Sequence, residues 1–418
     1  MVDRVSTYWI YQRPVNDMLS LQSALNRTQE QVSTGRKILS PADDPVGSAR
    51  VLQLDQEIAL LSQYERNISL VESRLEAEEG VLQGVTEVLQ RVRELTVQAG
   101  NAALYTSTER QAIGQEVKQR VKELYDLMNS QDGSGEYIFS GFSGNTQPFV
   151  ESPGGGYSYQ GDEGVRYLQI SRTITLASSD SGKDAFLDIP ANQPSFFTYG
   201  NPENRGRPMG VISAGITVDQ QALNDFFPDN AVITFENELD IDPAGPNFTI
   251  RRKSDGRIIE GFQNEPYSPG SKIQFAGMEI AITGSPAPGD KFVVESSQKQ
   301  GVLTTTEKLE YALNNYSDAP EFSDLYDDAI FNTLENLDAA IDNVSQIRAR
   351  LGARLNTSET TMNQHADNKL AAQDIRADIR DLDYAEAISR LQLEGFVLQA
   401  AQQSFAQVTQ TNLFDFIR

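Results

Sequence analysis

The side chains best equipped for chemistry are few and poorly placed for it. His365 is the single histidine and cysteine is absent, so disulfides, thiolate metal sites and cysteine nucleophiles are excluded. Asp43-Asp44 invites a reading as an acid–base or metal pair, yet no histidine or further acid stands at a spacing that completes a site. The proline that follows explains Asp44 better. An aspartate N-cap accepts the orphan amides of a helix start, and Pro45 at the first helical position loses nothing. Asp381 and Asp383, two apart on a helix, point to different faces, so no shared ion or proton is expected of them. Gly154-Gly155-Gly156 lacks the Lys-Ser/Thr and helix start of a phosphate loop, and Asp240-Ile241-Asp242 lacks the glycine and distal glutamate of a calcium loop. His365 is expected on a surface or in packing. No catalytic residue, no cofactor and no metal site is expected.

The elements that would hold these residues explain more. Leu54, Leu61, Ile68, Leu75, Leu82 and Leu89 recur every seven residues, and Tyr64, Val71, Val85 and Val92 form a second row three residues on, with Glu78 its exception. Two such rows make a narrow apolar seam at coiled-coil spacing. The helix they predict runs from Pro45 to Ala99, on the order of 80 Å at ~1.5 Å per residue. Such a helix needs partners. One comes from the far end of the chain, where Ile330, Leu337, Val344 and Leu351 form one row and Leu334, Ile341, Leu355 and Met362 its companion, interrupted by Arg348. The pattern loosens around His365 and resumes with Tyr384, Leu391, Leu398 and Phe405. At the amino end, Met18, Leu25 and Val32 are again seven apart, and Pro14 weakens the first turns. Gly35 closes that segment.

After Gly100-Asn101 a helix begins at Thr106, which with Glu109 makes a capping box. Its stripe of Ile113, Val117, Val121, Leu124 and Met128 predicts that it folds back antiparallel on the long helix. Residues 131–301 then hold 22 of the 30 glycines and 13 of the 17 prolines, so the chain changes to strands and turns. Extended structure is expected from Tyr137-Ile138-Phe139, in Val165–Ile170 and Ala231–Phe235, and in Phe248-Thr249-Ile250 facing Arg257-Ile258-Ile259 across Asp255-Gly256. Ile273 to Ile282 and Phe292-Val293-Val294 continue it. Short strands with frequent turns favour a sandwich or open barrel.

Composition narrows the function classes. With 59 acidic against 35 basic residues the formal charge is −24 and the pI about 4.5. Phosphate backbones and anionic membranes repel such a surface, so neither nucleic acid nor membrane is expected as a partner. No apolar run of about 18 residues exists. Met1 to Gln12 lacks the apolar core and small-residue cleavage site of a secretory signal, so export, if any, is expected without a cleavable peptide.

Three motifs then carry a resemblance. Ser33-Thr34-Gly35-Arg36-Lys37-Ile38 followed by Pro41-Ala42-Asp43-Asp44-Pro45-Val46-Gly47 resembles the amino-terminal signature of the flagellin superfamily. Asp381-Leu382-Asp383-Tyr384-Ala385-Glu386-Ala387 resembles its carboxy-terminal signature. Asp-Asp-Pro-Val-Gly at 43–47, Gln63 to Ile68, Asp132 to Phe142 and the closing Asn412 to Arg418 are similar to the hook-associated protein 3 family more than to flagellins proper. The resemblance implies a structural subunit at the hook–filament junction of the bacterial flagellum. It also implies export through the flagellar type III channel, a dedicated chaperone, homo-oligomer assembly, and hook-associated protein 1 and flagellin as neighbours, outside the cell.

The expected fold is α+β and multidomain: a long antiparallel coiled-coil rod built from both chain ends, with an inserted β-rich outer domain. Residues 1–44 with 366–418 form terminal helices, 45–145 with 301–365 the rod, and 146–300 the outer domain. The terminal helices carry more apolar surface than one helix partner needs. The expected assembly surface is therefore Met18, Leu25, Val32, Leu391, Phe396, Val397, Leu398 and Phe405, with Leu413, Phe414 and Phe416 at the end. Other readings of the same architecture are a flagellin, or a rod displaying a carbohydrate-binding adhesin whose tyrosines and phenylalanines stack on sugars.

Overall fold

The computed structural model describes residues 7–101, 106–152, 156–316 and 320–410. In chain order the helices are α1 (Thr7–Thr34), α2 (Pro45–Ala99), α3 (Ser107–Met128), α4 (Gly182–Phe186), α5 (Gln220–Phe226), α6 (Val302–Asn315), α7 (Pro320–Arg380) and α8 (Tyr384–Gln410). The strands are β1 (Phe149–Glu151), β2 (Tyr157–Tyr159), β3 (Tyr167–Gln169), β4 (Thr175–Ala177), β5 (Pro190–Gly200), β6 (Val211–Ile212), β7 (Ile216–Thr217), β8 (Ala231–Phe235), β9 (Asn247–Arg252), β10 (Glu265–Pro266), β11 (Lys272–Phe275), β12 (Met278–Thr283) and β13 (Lys291–Lys299). The long helices gather at the two ends of the chain, and the strands, with the short α4 and α5 among them, in its middle. Two compact units result, one from residues up to Arg66 and from Thr360 onward, the other from Asn67 to Glu359.

In the first unit α1 and α8 lie side by side. Gln31 and Arg390 meet at 3.0 Å, and Leu25 lies beside Gly395, so the two run antiparallel. A backbone clasp joins the loops that precede α2 and α8. Lys37 N–H donates to Arg380 O at 2.7 Å and Leu382 N–H to Gly35 O at 3.0 Å. Gly35 takes φ +68°, and a Cβ there would sit 2.8 Å from the Tyr384 hydroxyl. Gln31 Nε2 donates to Lys37 O at 2.7 Å. The start of α2 and the end of α7 pair antiparallel through Lys369–Glu65 and Arg376–Asp55, at 2.6 and 2.9 Å.

In the second unit α2 and α7 also run antiparallel, as Arg93–Asp338 and Arg348–Glu79 show. Along the whole of α2, in the first unit as well as the second, the expected ladder is buried from Leu54 to Leu89, and so is its second row, Glu78 included. On α7 the Ile330, Leu337, Val344 and Leu351 row is buried as expected, but its companion is not the one expected. Thr333, Ala340 and Ile347 occupy it, while Leu334, Ile341, Leu355 and Met362 are half-buried. Two small or polar residues took the inward places because Thr333 hands its hydroxyl proton to the Ala329 carbonyl at 2.7 Å. A threonine satisfied in this way packs like valine. The α3 capping box is present, Thr106 N–H donating to Glu109 at 2.8 Å. The helix folds back on α2, with Leu127 against Gly84 and Arg91 bonded to Glu116. On another side α3 packs on α6, a helix the heptad reading passed over.

The strands form antiparallel sheets. One has the order β10-β9-β8-β13-β5 and another β11-β12-β6 with β7 also on β12. They share a core of Ile233, Phe235, Phe248, Ile280, Phe292 and neighbouring apolar residues, in keeping with a sandwich. Tyr137-Ile138-Phe139 does not open extended structure. The Asp132 carboxylate gathers the amides of Ser134 and Glu136 into a turn, leaving a lone bridge between Gln131 and Tyr137, and the first strand is β1. Arg257 to Ile259 meets β9 only at the Arg251–Ile258 bridge, since β8 and β10 take the two edges of β9.

Candidate assembly surface

The acidic groups that invited a catalytic reading, Asp242 apart, each have a structural job. Asp44 Oδ1 accepts the Gly47 N–H at 2.9 Å, capping α2. Asp43 Oδ2 accepts the amides of Ser40 and Leu39, and its other oxygen meets Arg27 at 2.8 Å. The Ser40 amide, with Leu39 and Arg27 adding to it, holds its pKa below the usual carboxylate range. Asp381 and Asp383 are not on a common helix. Asp381 belongs to the clasp and Asp383 caps α8, accepting from Ala385 and Glu386 N–H. Asp240 accepts the Asn237 N–H at 3.2 Å, completing the capping box of a single 3₁₀ turn whose N-cap is Asn237. His365 is buried and stacks on Tyr64 with ring centroids 5.6 Å apart. Of the triple glycine, only Gly156 lies within the described residues. Among the described residues no group of three or more His, Asp or Glu could hold a metal, and no helix is long and apolar enough to cross a membrane.

The residues expected to assemble divide into two sets. Met18, Leu25, Val32, Leu391 and Phe405 are half-buried and Leu398 is buried. Phe396 and Val397 stand exposed, at 70% and 39%. Leu413, Phe414 and Phe416 lie outside the described residues. Helical geometry explains the division. Leu391, Leu398 and Phe405 mark the face of α8 turned to α1, whereas Phe396 is turned about 160° from Leu398 at ~100° per residue. Leu393, 62% exposed, shares that far side and carries no seven-residue signal, because it stands three residues before Phe396 on a row of its own. Leu19 of α1, 63% exposed beside half-buried Met18, carries none for the same reason. From Leu391 to Gln410 the only charged residue is Glu394, the rest of the polar positions being mainly glutamine. A helix with two apolar faces and almost no charge leaves one face wet in a lone subunit.

The β-rich part of the second unit carries a groove of about 1,120 Å³ lined by Tyr157, Tyr159, Phe197, Tyr199 and Met209 among others. Its hydrogen-bonding groups are largely engaged within the protein. Tyr159 donates to the carbonyls of Phe139 and Asp162, Tyr199 to Glu295, and the Asn204 amide bridges Lys291 O and N. That engagement leaves little polar capacity for a sugar.

Antiparallel helix pairs built from the two ends of the sequence, with a β-rich stretch between them in chain order, define a class, and comparison with known proteins agrees. The model of the bacterial flagellin N-terminal helical region matches residues 5–143 and that of the C-terminal helical region residues 334–417, together just over half of the chain. The chain belongs to the flagellin superfamily. Within it the chain is 31% identical over 189 residues to flagellar hook-associated protein 3 of Salmonella typhimurium, an alignment covering 45% of this chain and 58% of the relative. The crystal structure of hook-associated protein 3 from Legionella pneumophila is similar over 79% of this chain and 99% of its own, at 27% identity and a TM-score of 0.50. Flagellin of Clostridium tyrobutyricum aligns over 92% of this chain at 24% identity.

Proposed function

We propose that this protein is a structural subunit of the bacterial flagellum that joins hook to filament, and that it assembles through the terminal helices α1 and α8. The observation that carries the reading is the far side of α8, where Leu393 and Phe396 are exposed and Glu394 is the only charge from Leu391 to Gln410. Burying a large apolar side chain is worth about 1.5 to 3 kcal/mol, so sister subunits would gain by covering them. The likeness to hook-associated protein 3 supports the junction over the filament. The same proposal includes hook-associated protein 1 and flagellin as neighbours, a chaperone during type III export, an extracellular location and no enzymatic activity. It keeps the division into 1–44 with 366–418, 45–145 with 301–365, and 146–300, and it keeps Leu413, Phe414 and Phe416 within the assembling surface.

Antibody labelling of whole cells tests it. A collar at the filament base is expected, whereas label along the filament would identify a flagellin, the second reading, which rests on the alignment with Clostridium tyrobutyricum flagellin over 92% of this chain. Removing about 45 residues from each end should abolish filament attachment. Retained attachment would refute assembly through these helices.

A further inference from the structure

Glu78 holds a seam position of α2 between Val71 and Val85, and it is 0% exposed. Its Oε1 accepts the backbone N–H of Asp180 at 3.3 Å, and its Oε2 has no hydrogen-bond partner. Asp180 arrives on the short strap between β4 and α4. The strap docks on α7 mainly by charge. Asp180 takes both arms of Arg354 at 2.8 and 2.9 Å, Asp184 takes Arg350 at 2.8 Å, and Asn343 donates to the carbonyls of Asp184 and Ala185. The charges facing Glu78 are therefore Asp180 from the strap and Arg354 and Arg350 from α7. On its own helix Glu79 is committed to Arg348, and Arg74 to Glu136. Burial, and then the Asp180 charge, raise the Glu78 pKa well above the usual carboxylate range. Arg354, the Asp180 amide and Arg350 oppose them.

We propose that Glu78, Asp180 and Arg354 form a proton-controlled latch between the strap and the helix pair, closed when Glu78 carries a proton and open when it is ionised. An ionised Glu78 would bury a second carboxylate beside Asp180, while Arg354 is bonded to Asp180 and Arg350 to Asp184. The helices cannot part to hydrate it, because Leu75, Leu82, Ile347 and Leu351 are buried around this layer. The strap can move. Its leading residues are held by ion pairs and amide bonds, whereas Phe186 behind them stays anchored edge-on to Phe139 at 4.9 Å and limits the opening to about 178–184. The closed state binds more protons than the open one. Closure is therefore complete below the ordinary glutamate range and is lost as pH rises through the raised value.

Hydrogen exchange of the whole chain between pH 5.5 and 8.5, normalised for intrinsic exchange, tests the latch. Peptides covering 176–186 should lose up to about tenfold protection per pH unit between the ordinary glutamate range and the raised Glu78 value, and level off above it. Peptides from the start of α2 should not follow. Glu78→Gln, which cannot ionise, should hold the strap closed at pH 8.5. Should that variant fail to fold by circular dichroism, Glu78→Met serves in its place. A strap whose protection falls equally with pH in the wild type and in the folded variant, or falls no more than the rest of the chain, overturns the proposal.

Discussion

Replacing Leu393 and Phe396 together by alanine should leave the folded subunit nearly untouched and cripple its assembly. In the subunit these side chains are 62% and 70% exposed, so truncating them removes little buried area. The cost to unfolding free energy should stay within about 0.5 kcal/mol, the usual range for surface changes. In the assembly the same exposed fraction becomes the gain. Roughly two thirds of 1.5 to 3 kcal/mol, or about 1 to 2 kcal/mol for each side chain, is lost when it is removed. Both together amount to about 2 to 4 kcal/mol per subunit, a fall of roughly 30- to 1,000-fold in association constant. Leu398→Ala is the control with the opposite pattern. Buried at 7% exposure, its loss should cost the subunit about 2 to 5 kcal/mol. Urea unfolding of the purified variants gives the first quantity, and filament attachment in cells producing them gives the second. With Glu394 the only charge on this part of α8, the attraction should also change little with salt. The reasoning fails if the double variant attaches filaments as the wild type does, or if it loses as much stability as Leu398→Ala.

Three further outcomes are expected. Burial depresses the Lys308 pKa to about 7, so the folded state binds fewer protons than the unfolded chain between about 7 and 10.5. Its penalty is full below pH 7 and shrinks as pH rises, so Lys308→Met should stabilise the protein more at pH 6 than at pH 10 in urea titrations. Ala276, at φ +46° in the β11–β12 turn, occupies a left-handed position before Gly277, and Ala276→Asn should raise stability by about 0.5 to 1 kcal/mol in thermal melts. Gly35→Ala should destabilise by about 1 to 2 kcal/mol, because φ +68° is strained for alanine and the new methyl meets the Tyr384 hydroxyl. Hydrogen exchange at Lys37 and Leu382 should report that loss directly.

What could be read from the chain alone follows the strength of its local signals. The bounds of α2 agree at both ends because Asp44-Pro45 and Gly100 punctuate it and every rung of its ladder is large and apolar. The companion row of α7 is not legible because threonine and alanine, Thr333 and Ala340, take seam positions while the larger Leu334 and Ile341 one residue later stay half-buried. A strand as long as β5 was overlooked because Pro190 and Pro194 stand in it. It lies at the sheet edge, where a missing donor costs nothing. Of the assembling surface, excess apolar content on α8 was visible. Which face each residue takes was not, since this depends on where α1 lies. The Glu78 latch was visible only as one acid interrupting a row, because Asp180 and Arg354 reach it from positions far along the chain.

The backbone rungs between Lys37 and Arg380 and between Leu382 and Gly35 span some 345 positions of sequence. A ribosome therefore makes that whole stretch before the first helix acquires the mate it was made for. A stop codon late in the message would be felt at both ends of the polypeptide, taking away the tail and orphaning the head.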